Sequence, residues 1–241
     1  MNLSIRGLAT VIVLSCGVHV ASAVQADEPQ AQRVYTYALQ IQGDGNITRV
    51  APFGADDDAI GRDLSSRVDT WLFSTNGSSR RQAGDDYRTY LRLVVVPRAE
   101  APGGYELVSA TTGPAPEHLV LPLYPPRDQM EGRQGTVVMK LDIGADGSVR
   151  NAQVHDIDGN VSRNMAVAAK KAAGQWRFAT EMVDSQPVAS TVLWPVCFLG
   201  ATSTATNCAW SGPEAQRYSS KTVVALDPVA TLVTPLAFEG R

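Results

Sequence analysis

Few residues in this chain could carry chemistry. Besides His19, which sits in an N-terminal apolar run, the histidines are His118 and His155, and the cysteines are Cys16, Cys197 and Cys208. No Gly-x-Ser-x-Gly elbow, phosphate-binding glycine loop or His-Glu-x-x-His pair occurs, so the usual nucleophilic, nucleotide-dependent and zinc-hydrolase chemistries lack their residues. The most site-like cluster is His155-Asp156-Ile157-Asp158-Gly159-Asn160, whose oxygen ligands alternate as in part of a calcium loop. It lacks the distal bidentate Glu, and a turn that ends a strand accounts for it better. Asp56-Asp57-Asp58 points its side chains in three directions on a forming helix, which suits helix capping rather than a metal. The expectation is no catalytic residue, no metal and no cofactor: a binding or structural protein and not an enzyme.

Composition agrees with that class. The 241 residues are 44% hydrophobic, enough for a real core, and the formal net charge of −3 comes without a basic, aromatic-interleaved stripe, which argues against nucleic acid. Residues 1–23 carry one cation, Arg6, then an apolar run, then Ala21-Ser22-Ala23, the small-x-small pattern of a cleaved export signal. Thr10, Ser15, Gly17 and His19 interrupt the run, which disfavours a retained membrane anchor. The expected location is the periplasm. In that oxidising compartment Cys197 and Cys208 read as one structural disulfide. Cys16 belongs to the discarded segment.

The elements that position everything else fall into two blocks. In the first, Tyr35, Tyr37, Leu39 and Ile41 alternate as a half-buried strand, Gly43-Asp44-Gly45-Asn46 turns it back, and Ile47 to Phe53 returns. Ile60, Leu64, Val68, Trp71 and Leu72 then recur at helical spacing, and Tyr87 to Val96 resumes strand character. In the second, Val137, Met139, Leu141 and Ile143 alternate, Ala145-Asp146-Gly147-Ser148 turns, and Val149 to Ile157 returns. Ser162 is placed to cap a helix whose Met165, Ala169, Ala172 and Trp176 share one face, with Trp176 and Phe178 filling the seam between helix and sheet.

The blocks share a pattern. Leu39-x-Ile41-x-x-Asp44-Gly45-x-Ile47 recurs without a gap as Leu141-x-Ile143-x-x-Asp146-Gly147-x-Val149, and Trp71-x-Phe73 recurs as Trp176-x-Phe178. Two anchors in the same order imply two copies of one strand-turn-strand-helix-strand unit. Residues 98–121, rich in Pro and Gly, read as a linker in which Tyr105 to Ala110 forms an additional edge strand.

Leu123-Tyr124-Pro125, Gly135-Thr136-Val137-Val138, Asp146-Gly147-Ser148-Val149, the Ala-rich stretch ending Trp176-Arg177-Phe178, and Gln186-Pro187-Val188 ahead of an apolar run resemble the carboxy-terminal domain of the TonB family of envelope energy-transducing proteins. The resemblance implies an α+β fold of two TonB-C-like units, each a three-stranded antiparallel sheet packed by a helix. Residues 34–97 would be a degenerate copy and 122–208 the better one, followed by an extension over 209–241. It also implies a peptide-binding sheet edge at Ser190, Thr191, Val192, Leu193, Trp194 and Val196. That edge would recruit an envelope partner such as a segment of a TonB-dependent outer-membrane transporter, by β-augmentation. Three readings stay open beside it: a structural envelope protein whose edges are paired internally, an anchored energy transducer if the N-terminal segment is retained, and a homodimer. The segment Lys221 to Leu226 and Thr231 to Phe238 is strand-like and either caps an edge or extends free.

Overall fold

The computed structural model describes residues 33–54, 58–75, 86–98, 104–200 and 224–235. The export-signal segment and Cys208 lie outside the described residues. In chain order the elements are β1 (Arg33–Gln42), β2 (Ile47–Pro52), α1 (Ala59–Val68), β3 (Phe73–Ser74), β4 (Asp86–Pro97), β5 (Tyr105–Gly113), β6 (Ala115–His118), α2 (Pro126–Met130), β7 (Gly135–Ile143), β8 (Val149–Gly159), α3 (Arg163–Ala173), β9 (Arg177–Ala179), β10 (Met182–Val183), β11 (Gln186–Pro187), β12 (Ser190–Phe198), β13 (Val224–Ala225) and β14 (Thr231–Leu232). The result is an α+β fold of antiparallel sheets. Among the described residues no helix is long and apolar enough to cross a membrane.

Alternation gives β1 one buried face and one half-buried face. Its Tyr35, Tyr37, Leu39 and Ile41 are buried, and they meet Ile60, Leu64 and Val68 of α1 together with Trp71 and Phe73 in one core. Asp58 caps α1 by accepting the Gly61 N–H at 2.8 Å. Ser162 caps α3 in the same way through the Met165 N–H, and Met165, Ala169, Ala173, Trp176 and Phe178 fill a second core against β7 and β12. Trp176 also donates its Nε1–H to Val120 O at 2.8 Å, which ties the entry segment to the end of the helix.

The β1–β2 and β7–β8 hairpins turn through an Asp-Gly pair whose aspartate accepts the N–H two residues on, Asn46 onto Asp44 and Ser148 onto Asp146. Gly45 and Gly147 have φ of +87° and +75°. A Cβ on Gly45 would fall 1.9 Å from Phe73 O, and one on Gly147 would fall 2.1 Å from Phe178 O. The carbonyls of these same glycines accept the N–H of Phe73 and Phe178 at 3.0 and 2.9 Å. Only glycine permits both the left-handed turn and that approach.

Strand order is β4-β1-β2 in one sheet and β12-β7-β8 in the other. Neither sheet stops at the three expected strands. The outer side of β4 is taken by β10 at Tyr87 and Arg88, with β11 beyond it, and by β5 from Tyr90 to Pro97, which makes six strands, and β13 adds a fourth strand beside β12. Unpaired edge groups drive this recruitment. The stretch 98–121, expected as linker, therefore carries β5 and β6, with β6 pairing β9. The chain's last described segment crosses back: β14 pairs β3, and Val229 and Ala230 are buried in the first core.

Candidate functional site

β12 is where the sequence placed the docking edge, and its geometry follows from two registers. It pairs β7 over all nine residues, from Ser190 opposite Ile143 to Phe198 opposite Gly135, with no bulge. On its other side Val192 and Leu193 face Ala225 and Val224 of β13. Thr191 O accepts the Leu226 N–H at 2.8 Å, and the Thr191 N–H donates to Asp227 Oδ1 at 2.9 Å. The backbone groups of Thr191 thus point outward. With two-residue periodicity, so do those of Leu193, Pro195 and Cys197. Pro195 contributes only its carbonyl to this edge.

The six candidate residues divide by face. Ser190, Val192 and Val196 are buried and Trp194 is half-buried; Val192, Trp194 and Val196 pack on the α3 side, where Trp194 meets Trp176 and Phe178 at ring distances of 5.2 and 5.7 Å. Leu193 points to the opposite face and packs with Val138 and Val224. Apart from Thr191, which is half-buried, their side chains pack inward, so what the edge offers a partner is mainly backbone. Cys197 is disulfide-bonded.

Glu181, Leu226 and Asp227 complete the arrangement. The Glu181 carboxylate is fully buried, accepts Thr89 Oγ1–H at 2.7 Å and Val229 N–H at 3.2 Å on Oε1, and accepts Ser190 Oγ–H at 3.2 Å on Oε2. One carboxylate so joins β4, β12 and the C-terminal segment. Sequence reasoning did not find Glu181, because a lone Glu between two short strands carries no local signal of burial. Asp227-Pro228 was read only as a break between strands, yet Asp227 substitutes for the Leu226 carbonyl opposite Thr191. A cleft of about 470 Å³ lined by Asp142, Ile143, Val188, Ala189, Thr191 and Asp227 opens at this end of β12.

The other outer strand of this sheet is less receptive. β8 carries two bulges against β7, with His155 and Arg150 as the extra residues, and bulges on an edge twist it away from further pairing. His155, Asp156 and Asp158 therefore belong to a bulged strand that continues to Gly159.

Residues 120–199 match the family described as Gram-negative bacterial TonB protein C-terminal. Two proteins named Protein TonB, from two strains of Xanthomonas campestris pv. campestris, are each 38% identical over 77 residues, covering 32% of this chain and 34% of the relative. The chain thus spans about a third of the length of the curated relatives it matches. No solved structure matches. Residues 120–199 form a TonB C-terminal domain, which contains the whole of β12.

Proposed function

We propose that this protein is a periplasmic TonB-like binding module that captures an extended segment of an envelope protein, such as an outer-membrane transporter, by adding it as a strand to the outer edge of β12. One observation carries the reading. The outer edge of β12 lies in the stretch that matches the TonB C-terminal family and is covered, among the described residues, only from Thr191 to Leu193, by residues 224–227. An incoming strand would displace residues 224–227, pair with the outward groups from Thr191 to Cys197 and enter along the neighbouring cleft. Pro195 leaves one position without a donor, so affinity comes from few backbone bonds.

In the same reading residues 34–97 are a diverged second copy of the unit. The matching strand order and the shared contact of Gly45 with Phe73 and Gly147 with Phe178 support this. The equivalent outer edge, that of β4, is occupied over eight residues by β5, so docking falls to the second unit.

The bonds from Leu226 and Asp227 to Thr191 favour a second reading, a self-contained structural protein with its edges paired internally. Titrating isotope-labelled protein with peptides from the amino-terminal segments of the same organism's outer-membrane transporters separates the two. Docking predicts saturable amide shifts concentrated at Thr191, Leu193 and Cys197. Unchanged amides there at millimolar peptide would leave the structural reading standing. The intact mass of envelope-extracted protein tests location: a chain beginning at Val24 fits a periplasmic protein, and one retaining Met1 fits an anchored transducer.

A further inference from the structure

Between the exposed side of α3 and the segment that leads into α2 runs an open groove of about 490 Å³. Its floor is continuous with the second core: Ala172 is buried, and Val120 and Ala168 pack half-buried against that core. Its walls are not covered. Leu121, Leu123 and Val167 line it and are 86, 80 and 58% exposed. Single exposed apolar side chains are ordinary, but three on one groove mark a contact surface.

The charges on α3 are of one sign. Arg163, Lys170 and Lys171 stand at i−4, i+3 and i+4 from Val167, so all three flank it on the helix surface, and Lys171 lines the groove. α3 contains no carboxylate. Among the described residues none of these cations is in an ion pair, and the nearby pairs belong to Arg127, Arg133 and Arg150. The helix dipole accounts for Lys170 and Lys171 in the last turn, but it opposes Arg163 in the first.

Shape and charge together select an occupant. An open groove encloses too little of a small ligand, whose sites bury most of its surface. A bilayer is flat and would touch the walls without reaching Val120, Ala168 and Ala172 on the floor. An extended peptide needs backbone partners, yet Pro122, Pro125 and Pro126 have no N–H and the backbone of α3 is bonded within the helix. A helix satisfies its own backbone, seats apolar side chains in the groove and brings carboxylates to the cations.

We propose that the groove between residues 120–126 and α3 docks an amphipathic helix of a protein partner, its apolar face seated on Val120, Ala168 and Ala172 and its carboxylates facing Arg163, Lys170 and Lys171. This contact is separate from strand addition at β12 and stands whether or not that edge is used.

The test uses the full isotope-labelled protein and two synthetic helical peptides of about 15 residues, alike in their leucines and differing only in Glu or Lys along the flanks. The glutamate peptide should shift the amides of Leu121, Leu123, Val167 and Lys171 saturably. It should bind at least about 10-fold more tightly than the lysine peptide, and about 0.5 M sodium chloride should narrow that gap. The side chain changed in Leu121→Asp makes little contact with its own protein, so the variant keeps the fold. It should weaken the glutamate peptide by about 10-fold or more. Lys170→Glu combined with Lys171→Glu should reverse the preference. Equal affinities, no shift with the glutamate peptide, or shifts confined to Thr191, Leu193 and Cys197 would overturn the proposal. So would binding to phosphatidylglycerol vesicles instead of the peptide, which assigns the patch to a lipid surface, or a dimer that Leu121→Asp dissociates, which assigns it to a second copy of the chain.

Discussion

Replacing Glu181 by Ala should separate the C-terminal segment from the two sheets. The carboxylate accepts from the Thr89 and Ser190 hydroxyls and from the Val229 N–H, all buried. The hydroxyls can rotate toward other acceptors, but the Val229 N–H cannot. Losing three bonds to a charged acceptor costs about 4.5 kcal/mol, at the lower end of about 1.5–3 kcal/mol each, with the orphaned donor included in that figure. For a chain of this size that lowers the thermal midpoint by roughly 12 °C, at about 2–4 °C per kcal/mol. Glu181→Gln keeps the volume and one acceptor, and should lose about half as much. Thermal unfolding by circular dichroism reads the total, and hydrogen exchange at Leu226, Val229 and Thr231 reads where it falls. A midpoint shift below about 3 °C for the alanine variant would refute the clamp. So would exchange that rises uniformly through both cores instead of in the 224–235 segment.

Gly147→Ala should destabilise by about 3 kcal/mol or more in chemical denaturation, because the new Cβ meets the Phe178 carbonyl at 2.1 Å in a left-handed backbone; Gly45→Ala should do the same against the Phe73 carbonyl. Stability should be flat between about pH 5 and pH 8 and fall below about pH 4, the ordinary carboxylate range. The Asn46 N–H holds Asp44 low and the Ser148 hydroxyl holds Asp146 low; at Asp58 burial raises the carboxyl but the Gly61 N–H, Tyr35 and Arg33 outweigh it. Depressed carboxylates stabilise the fold only while ionised, so protonation through their folded values removes that contribution. A stability maximum below pH 4 would contradict this.

What was legible in the sequence is what local chemistry fixes. The alternation of Tyr35 to Ile41 and of Val137 to Ile143, the Asp-Gly turns and the caps Asp58 and Ser162 depend on residues within a few positions, and all are where periodicity and turn chemistry put them. Trp176 and Phe178 are buried in the seam as their type and spacing suggest. What was not legible depends on the encounter of distant segments. Gly113, Pro114 and Pro116 read as breakers, yet Thr111 and Thr112 extend β5 to Gly113 because the edge of β4 needs a partner. β13 and β14 fall inside the stretches Lys221 to Leu226 and Thr231 to Phe238 that read as strand-like, but which strands they pair depends on distant partners. Glu181 and Arg92 look like surface charges in the sequence, and only the meeting of β4 with β12 and the C-terminal segment buries them.

The two outer edges differ in how tightly they are closed, and that difference decides whether β12 can dock anything. The cover on β4 is a continuous strand opposite residues from Tyr90 to Pro97. The cover on β12 is the pair Val224 and Ala225, with the Leu226 N–H and the Asp227 carboxylate bonded to Thr191. At about 1 kcal/mol for a neutral bond and about 2 for a charged one, those last two contacts hold the segment down by about 3 kcal/mol. A partner strand must overcome that term, so its apparent affinity is reduced by up to about 100-fold relative to an open edge. Combining Leu226→Pro, which removes the donor, with Asp227→Ala, which removes the acceptor, should tighten peptide binding by about 30- to 100-fold. Val229, Ala230 and Leu232 would still anchor the segment in the first core. Isothermal titration with the same peptide against both proteins measures the ratio. Equal affinities would mean that residues 224–227 do not compete for the edge. Absence of binding to either protein, with the variant folded, would remove β12 as a docking strand.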